Sequence, residues 1–325
     1  MMWAREELLV NSESYNSRHK RVLKTLAALE DAYTYQDESV LVLNGPQAMS
    51  QGTIVLQELL DRDPSAVHDT DDCGVTALHL ACLMGRPDAV ELLIKRDAPL
   101  DACDCRGKTP LVDAVRYGNY DCAELLLGAG CRPDVADMEG QSVLYHAMER
   151  NLTLGFELLK QLITQYPRLA AAQDIGGRAS LHWLSDVFGP ADLAEQLLGL
   201  LLQAGAALEA RDQLGMTPLK VAVCLDNAMV VQLLLQAGAK VDPPPALYGR
   251  NVLHLAALFA GQDTLNILAD ATIRGLDVDA ADVNGDAPLD CWRWRKYADS
   301  NDLFAPMTRP TVEDDHALVL AKKEI

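Results

Sequence analysis

Apolar residues in this chain come in short blocks that return at a nearly fixed interval. A Leu four residues after a Gly opens each block: Gly74 leads to Leu78, Gly107 to Leu111, Gly140 to Leu144, Gly177 to Leu181, Gly215 to Leu219, Gly249 to Leu253 and Gly285 to Leu289. Successive glycines are 33, 33, 37, 38, 34 and 36 residues apart. Asp stands three residues before six of the seven glycines, at Asp71, Asp104, Asp137, Asp174, Asp212 and Asp282, with Ala246 in that place once. A second apolar run closes the block and ends in small residues, as in Leu125-Leu126-Leu127-Gly128-Ala129-Gly130 and Leu233-Leu234-Leu235-Gln236-Ala237-Gly238-Ala239. A period of this length predicts a repeat architecture, in which stacked units share a core that no unit can build alone.

The joints of each block predict two helices. Thr or Ser ahead of the first helix accepts a hydrogen bond from an orphan backbone N–H. Pro suits the first helical position, where its missing donor is not needed. Gly after the Leu run closes the second helix in the left-handed conformation. Ala81, Ala114, Ala147, Ala222 and Ala256 are small enough to let neighbouring helices approach closely.

The segments Gly74-Val75-Thr76-Ala77-Leu78-His79-Leu80-Ala81, Gly107-Lys108-Thr109-Pro110-Leu111, Gly215-Met216-Thr217-Pro218-Leu219 and Gly249-Arg250-Asn251-Val252-Leu253-His254-Leu255-Ala256 resemble the ankyrin repeat family. The resemblance runs from residue 71 to about 290. It implies an all-α fold, an ankyrin-repeat solenoid of stacked helix-turn-helix units with finger-like β-turns. It also implies four segments: an N-terminal helical cap at 1–36, a degenerate first unit at 37–70, six repeats at 71–281, and an incomplete capping repeat at 282–325. Val22, Leu23, Leu26, Leu29 and Tyr33 give the first cap its helical spacing. Residues 311 to 322, with acids early and lysines late, suit a closing helix in the dipole's field.

Two units depart from the pattern. The third runs through Leu158-Leu159 to Tyr166-Pro167-Arg168 without the small-residue ending, and the fourth has Leu184 where Ala is expected and Phe188-Gly189-Pro190 between its helices. Pro243-Pro244-Pro245 is stiff and extended, a spacer before the sixth unit.

Composition narrows the function. With 49% apolar and 23% charged residues the chain has enough to bury a core. Lys and Arg number 28 against 47 Asp and Glu, a net charge of −19. Direct nucleic-acid binding needs clustered cations, and anionic membranes repel such a surface, so neither is an expected partner. No run approaches a bilayer span, and Met1-Met2-Trp3-Ala4-Arg5-Glu6-Glu7 lacks the form of a secretory signal. The eight cysteines are expected as reduced thiols in the cytoplasm or nucleus.

Candidate chemistry is sparse. His79, His182 and His254 share one repeat position, and in ankyrin-like proteins that histidine bridges backbone groups of adjacent units. His19, His68, His146 and His316 show no ligand spacing. Cys103-x-Cys105 with Cys73 lacks a second pair for a tetrahedral metal site, while Cys82 and Cys122 read as packed hydrophobes. Asp61-Arg62-Asp63 and Asp69-Thr70-Asp71-Asp72 have no nucleophile or phosphate loop beside them. Trp292-Arg293-Trp294-Arg295-Lys296 reads as a cap that seals the last repeat. No catalytic residue, cofactor or metal is expected, and the chain does not read as an enzyme.

Surface side chains that the repeat does not dictate are left to choose a partner. In an ankyrin-like stack the first helices and fingers line a concave groove. The candidates there are Arg106, Lys108, Arg116 and Tyr117; Met138, Glu149 and Arg150; Leu225; and Tyr248, Arg250, Leu258 and Phe259. Glu139, Gln141, Arg178, Asp186, Leu214 and Met216 lie on the same parts. The expected function is a monomeric, non-catalytic scaffold binding another protein on its concave face. Two alternatives stand beside it: a regulator masking a partner's basic surface, such as that of a transcription factor, and an enzyme with a pocket at the lengthened third and fourth units.

Overall fold

Six of the seven blocks of the sequence pattern form two helices, and the seventh its first, in the computed structural model, which describes residues 45–149, 152–187, 189–241, 247–271 and 278–299. The predicted cap over 16–35, the Pro243–Pro245 run, Phe188, Arg150 and the closing helix over 311–322 lie outside the described residues. The chain divides into two units, Met1–Leu162 and Ile163–Ile325.

In the first unit α1 (Gly45–Arg62) is followed by a 3-10 turn at Pro64–His68. Then come α2 (Ala77–Leu83), α3 (Pro87–Lys95), α4 (Pro110–Arg116), α5 (Tyr120–Gly128), α6 (Val143–Glu149) and α7 (Leu152–Gln165). The first helices pack on one another, α2 on α4 and α4 on α6. The second helices form their own layer, α1 on α3 and α3 on α5. The second unit repeats the scheme with α8 (Ser180–Leu184), α9 (Ala191–Gln203), α10 (Pro218–Cys224), α11 (Ala228–Gln236), α12 (Val252–Phe259), α13 (Gln262–Asp270) and α14 (Pro288–Asp299). There α8, α10, α12 and α14 follow each other in one layer, and α9, α11 and α13 in the other.

The caps are those the sequence predicts. Thr76, Thr109, Thr217 and Asn251 each accept the N–H three residues on, at 3.3, 3.4, 3.4 and 3.1 Å. Pro110 and Pro218 stand at the helix start. Behind them Leu78, Leu111 and Leu144 in the first unit, and Leu181 and Leu219 in the second, are at most 2% exposed. Each such side chain contributes about 2 kcal/mol on burial. The aligned alanines, from Ala81 to Ala256, are also at most 2% exposed. Leu184, at the alanine register of α8, is fully buried, and α8 is the shortest of the first helices.

Loops between paired helices are stitched to the preceding pair. Asn119 Nδ2 donates to the Cys82 and Leu83 carbonyls at 2.7 and 3.0 Å, and Asn227 Nδ2 donates to those of Ser185 and Val187 at 3.1 and 2.9 Å. These carbonyls lie at or just past the ends of α2 and α8, where the helix offers few further N–H groups.

Gly107 and Gly118 separate two costs of a methyl group. Both are left-handed, with φ +77° and +76°. A Cβ on Gly107 would lie 2.9 Å from Met138 N and 3.1 Å from Asp137 Cα, in the backbone of the next finger, whereas Gly118 has nothing within 4 Å. Gly118→Ala is expected to cost about 1 kcal/mol, and Gly107→Ala about 1–2 kcal/mol more because backbone must shift. Urea midpoints of the two variants test this. Equal losses would mean the fingers are not in contact.

Candidate functional site

The fingers are built by one carboxylate each. Asp71 Oδ1 accepts the N–H groups of Cys73 and Val75, both at 2.8 Å. Asp104, Asp137, Asp174, Asp212 and Asp282 repeat the arrangement toward the residues two and four places on, at 2.7–3.2 Å. The Gly at the third place donates to the carbonyl of the same Asp at 2.9–3.0 Å. The turn leaves one N–H at its tip to meet the preceding finger: Cys105 N–H donates to the Cys73 carbonyl at 2.6 Å, and Met138 to Arg106 at 2.9 Å, in the first unit. Gln213 donates to Gly176 at 2.8 Å, and Val283 to Tyr248 at 2.9 Å, in the second.

Histidines tie first helices to the following finger. His79 Nδ1 accepts Thr76 N–H at 3.1 Å, and Nε2 donates to the Lys108 carbonyl at 3.0 Å. His182 accepts from Ala179 and donates to Met216, and His254 accepts from Asn251 and donates to Asp286, in the same way. Burial holds His79 and His182 below the ordinary imidazole pKa, which keeps Nδ1 free to accept. These are structural roles, as the sequence implied. Lys220 occupies the same place in α10 and is fully buried. A lysine reads as solvent-facing, so nothing in the sequence marked it.

Eight of the ten large apolar side chains exposed among the described residues gather in two registers, and Ile54 in α1 and Val278 stand outside them. The first is the finger tip, with Met138 73% exposed in the first unit, and Ile175, Leu214, Tyr248 and Val283 at 53–66% in the second. The second is the end of a first helix, with Tyr117 after α4, and Leu225 and Phe259 at the ends of α10 and α12, at 40–47%. Five sequence candidates, Tyr117, Met138, Leu225, Tyr248 and Phe259, therefore stand in these rows. Ile175 and Val283 were missed, although each follows the finger Asp directly, as Met138 does.

The charged candidates are placed less uniformly. Arg106 and Glu149 are exposed, Arg116 and Leu258 half-buried, and Lys108 is buried at 9% exposure. Arg250 bonds Asp282 at 3.2 Å, and its guanidinium lies 5.7 Å from the Tyr248 ring centroid. Tyr248 itself sits in the left-handed region, φ +69°. Glu139, Arg178, Asp186 and Leu214 are exposed, Met216 is half-buried and Gln141 is buried. Arg150 lies outside the described residues.

Around α4 the expected basic spot contains acid as well. Burial, then the Asp104 charge, pushes the Asp113 carboxyl up to about 7, while Lys108 and Arg116 pull against this. Burial and the Arg116 charge lower the Lys108 pKa. One finger on, His146 Nε2 meets Asp137 Oδ2 at 3.0 Å, both side chains nearly inaccessible, and burial lowers the His146 pKa. Asp137 Oδ1 is already committed to its turn, so this pair braces the finger. Among the described residues no group of three or more His, Cys, Asp or Glu is placed to hold a metal ion, and no helix is long and apolar enough to cross a membrane.

Residues 47–137 and 181–282 match the family model described as ankyrin repeats (3 copies). Among curated proteins, the chain is 35% identical over 128 residues to the Neurogenic locus Notch protein of Drosophila melanogaster, covering 39% of this chain and 5% of that one. It is 32% identical over 125 residues to NF-kappa-B inhibitor delta of Mus musculus, covering 38% and 36%. It is 33% identical over 120 residues to B-cell lymphoma 3 protein of Homo sapiens, covering 36% and 26%. The matches thus span little more than a third of these relatives at most. Among solved structures, the ankyrin repeat domain of Bcl-3, described as a unique member of the IkappaB protein family, superposes with TM-score 0.54 and 28% identity over 68% of this chain and 95% of that one. EF0377, an ankyrin repeat protein, gives TM-score 0.52 at 19% identity over 69% and 99%, a likeness of fold alone.

The Asp113 environment has a measurable sign. Its folded pKa of about 7 lies above the ordinary value of 3.8. The folded state therefore keeps a proton that the unfolded chain has lost, and stability falls as pH rises through that window. The full effect is at most about 4 kcal/mol, from about three pKa units. Asp113→Asn should be more stable than the parent at pH 8 and show no such gain near pH 4, read from urea midpoints. The same pH slope in both proteins would show that Asp113 is not the buried acid responsible.

Proposed function

The chain belongs to the ankyrin repeat family, and on that footing we propose that it is a non-catalytic scaffold that holds a partner protein against its finger tips and first-helix ends. These parts line the concave face in an ankyrin stack. The observation that carries the reading is the gathering of exposed apolar side chains in those two registers. An isolated exposed apolar residue needs no explanation, but rows at equivalent positions do. Two of them are Tyr, a residue enriched at protein interface hot spots. The contact set is Arg106, Arg116, Tyr117, Met138, Glu149, Arg150, Leu225, Tyr248, Arg250, Leu258 and Phe259, joined by Ile175, Leu214 and Val283. Lys108, being buried, is left out of the set.

The mechanism is rigid display. Carboxylate-sealed fingers and capped helices hold the contact residues before binding, so little ordering is left to be done in the complex. A monomer acting in the cytoplasm or nucleus fits this reading.

A second reading has its own support. One relative is named an NF-kappa-B inhibitor, and the Bcl-3 ankyrin domain is placed in the IkappaB family. With a net charge of −19, the chain suits a regulator that masks a basic surface of a partner such as a transcription factor. Binding that weakens more than about tenfold as salt rises from low to moderate concentration favours masking. Salt-insensitive binding favours the apolar scaffold.

Photo-crosslinking residues placed singly at Met138, Leu214, Tyr248 and Phe259 are expected to capture the native partner, whereas those at Glu124 in α5 and Lys160 in α7 are not. Tyr248→Ala with Phe259→Ala is expected to weaken that complex about thirtyfold, about 2 kcal/mol, with helical circular dichroism unchanged. Capture from Glu124 and Lys160 alone would move the interface to the second helices and end the proposal.

A further inference from the structure

The first two fingers bring two cysteines together. The bond from Cys105 N–H to the Cys73 carbonyl is 2.6 Å long. Backbones joined in this way lie about 5 Å apart, within the Cα separation of about 4.4–6.8 Å that a disulfide bridges. The Cys105 side chain also acts directly on the Cys73 thiol, so the two sulfurs lie near each other. Both residues are exposed, unlike Cys82, Cys122, Cys131 and Cys291. At the other finger junctions the equivalent pairs are Met138 with Arg106, Gln213 with Gly176 and Val283 with Tyr248, none of which carries two thiols.

We propose that Cys73 and Cys105 form an oxidation site, closed by a peroxide into a disulfide that joins the first two finger tips. In the first step a sulfur of the pair attacks peroxide. An S–O bond forms, the O–O bond breaks, and the departing hydroxide takes the thiol proton as water. In the second step the facing sulfur attacks the sulfenic acid. The S–S bond forms, the S–O bond breaks, and a second water leaves with the remaining thiol proton. Two thiols and one peroxide give one disulfide and two waters.

Neighbouring groups shape the reactivity. The hydrogen bond with Cys105, burial, and the charges around it, including Asp71 and Asp72, hold the Cys73 thiol above its ordinary pKa. A raised pKa leaves less of Cys73 as thiolate, the nucleophilic form, so Cys73 enters as the slower, second sulfur. The buried thiols are set apart, with Cys122 and Cys131 pushed up to about 12 by burial. Closure loops the chain around α2 and α3 and restrains the unfolded state more than the folded one. It also fixes the tip that presents Arg106. The inference stands whether or not that tip binds a partner.

The test is oxidation of the full chain with hydrogen peroxide, followed by thiol alkylation in denaturant and mass spectrometry. The expected product is a monomer lighter by two hydrogens, with two fewer alkylated thiols and fragments linking Cys73 to Cys105. Dithiothreitol restores it. Cys73→Ser and Cys105→Ser each abolish the change, and Cys103→Ser leaves it intact. A bridge to Cys103, a disulfide-linked dimer, further oxidised sulfur without a bridge, or an unchanged mass each overturns the proposal. Mapping of the parent protein decides the matter even where a serine variant fails to fold.

Discussion

A carboxylate receiving two backbone N–H groups sets the rest of this structure in place. At six fingers an Asp accepts from the residues two and four positions later, at 2.7–3.2 Å. Those amides would otherwise point into a tight turn with no partner, and bonds to an ionised acceptor are the stronger kind. The turn forces its third residue into the left-handed region, where glycine stands. Two residues further on it delivers Thr76, Thr109 or Thr217 to the capping position of a first helix. The same turn aims its remaining tip amide at the neighbouring finger. One interaction thus fixes the turn, the helix start and the spacing between units.

This dependence explains what the sequence made legible. Residues that satisfy backbone groups recur because the backbone recurs. The Asp, Gly, Thr, Pro and Ala positions therefore showed the period, and with it the helices, while the family resemblance implied the histidine bridges. Side chains that answer to local surroundings were not legible. Lys220 takes the histidine register and is buried, against every expectation from a lysine's charge. Lys108 is buried too, against what its charge suggested. His146 stands one place beyond the histidine register, and its partner is a finger carboxylate already used by its own turn. That pairing follows from the path of the chain, which spacing alone does not give.

The proposed contact surface is where the pattern is silent. Finger tips and first-helix ends project past the repeat's own hydrogen bonds, so their side chains are free of the constraint that makes the period. The same freedom hid Ile175 and Val283, which follow the finger Asp as Met138 does but carry no repeat signature. Apolar groups left in water at such positions cost solubility, and a net charge of −19 offsets that tendency by keeping copies apart.

The two units carry different chemistry on equivalent parts. In the first, the second finger and α4 collect groups that change state: Cys105 beside Cys73, and Asp113 among Asp104, Lys108 and Arg116. In the second, the fingers carry Ile175, Leu214, Tyr248 and Val283, whose contribution is contact area. Apolar contact is insensitive to pH and redox state, whereas a finger bridged by sulfur or a helix bearing a half-protonated acid is not. On the proposed reading, contacts made by the second unit's fingers stay constant under conditions that alter the first unit's. Regulation and recognition would then occupy the same register of the fold without competing for the same residues.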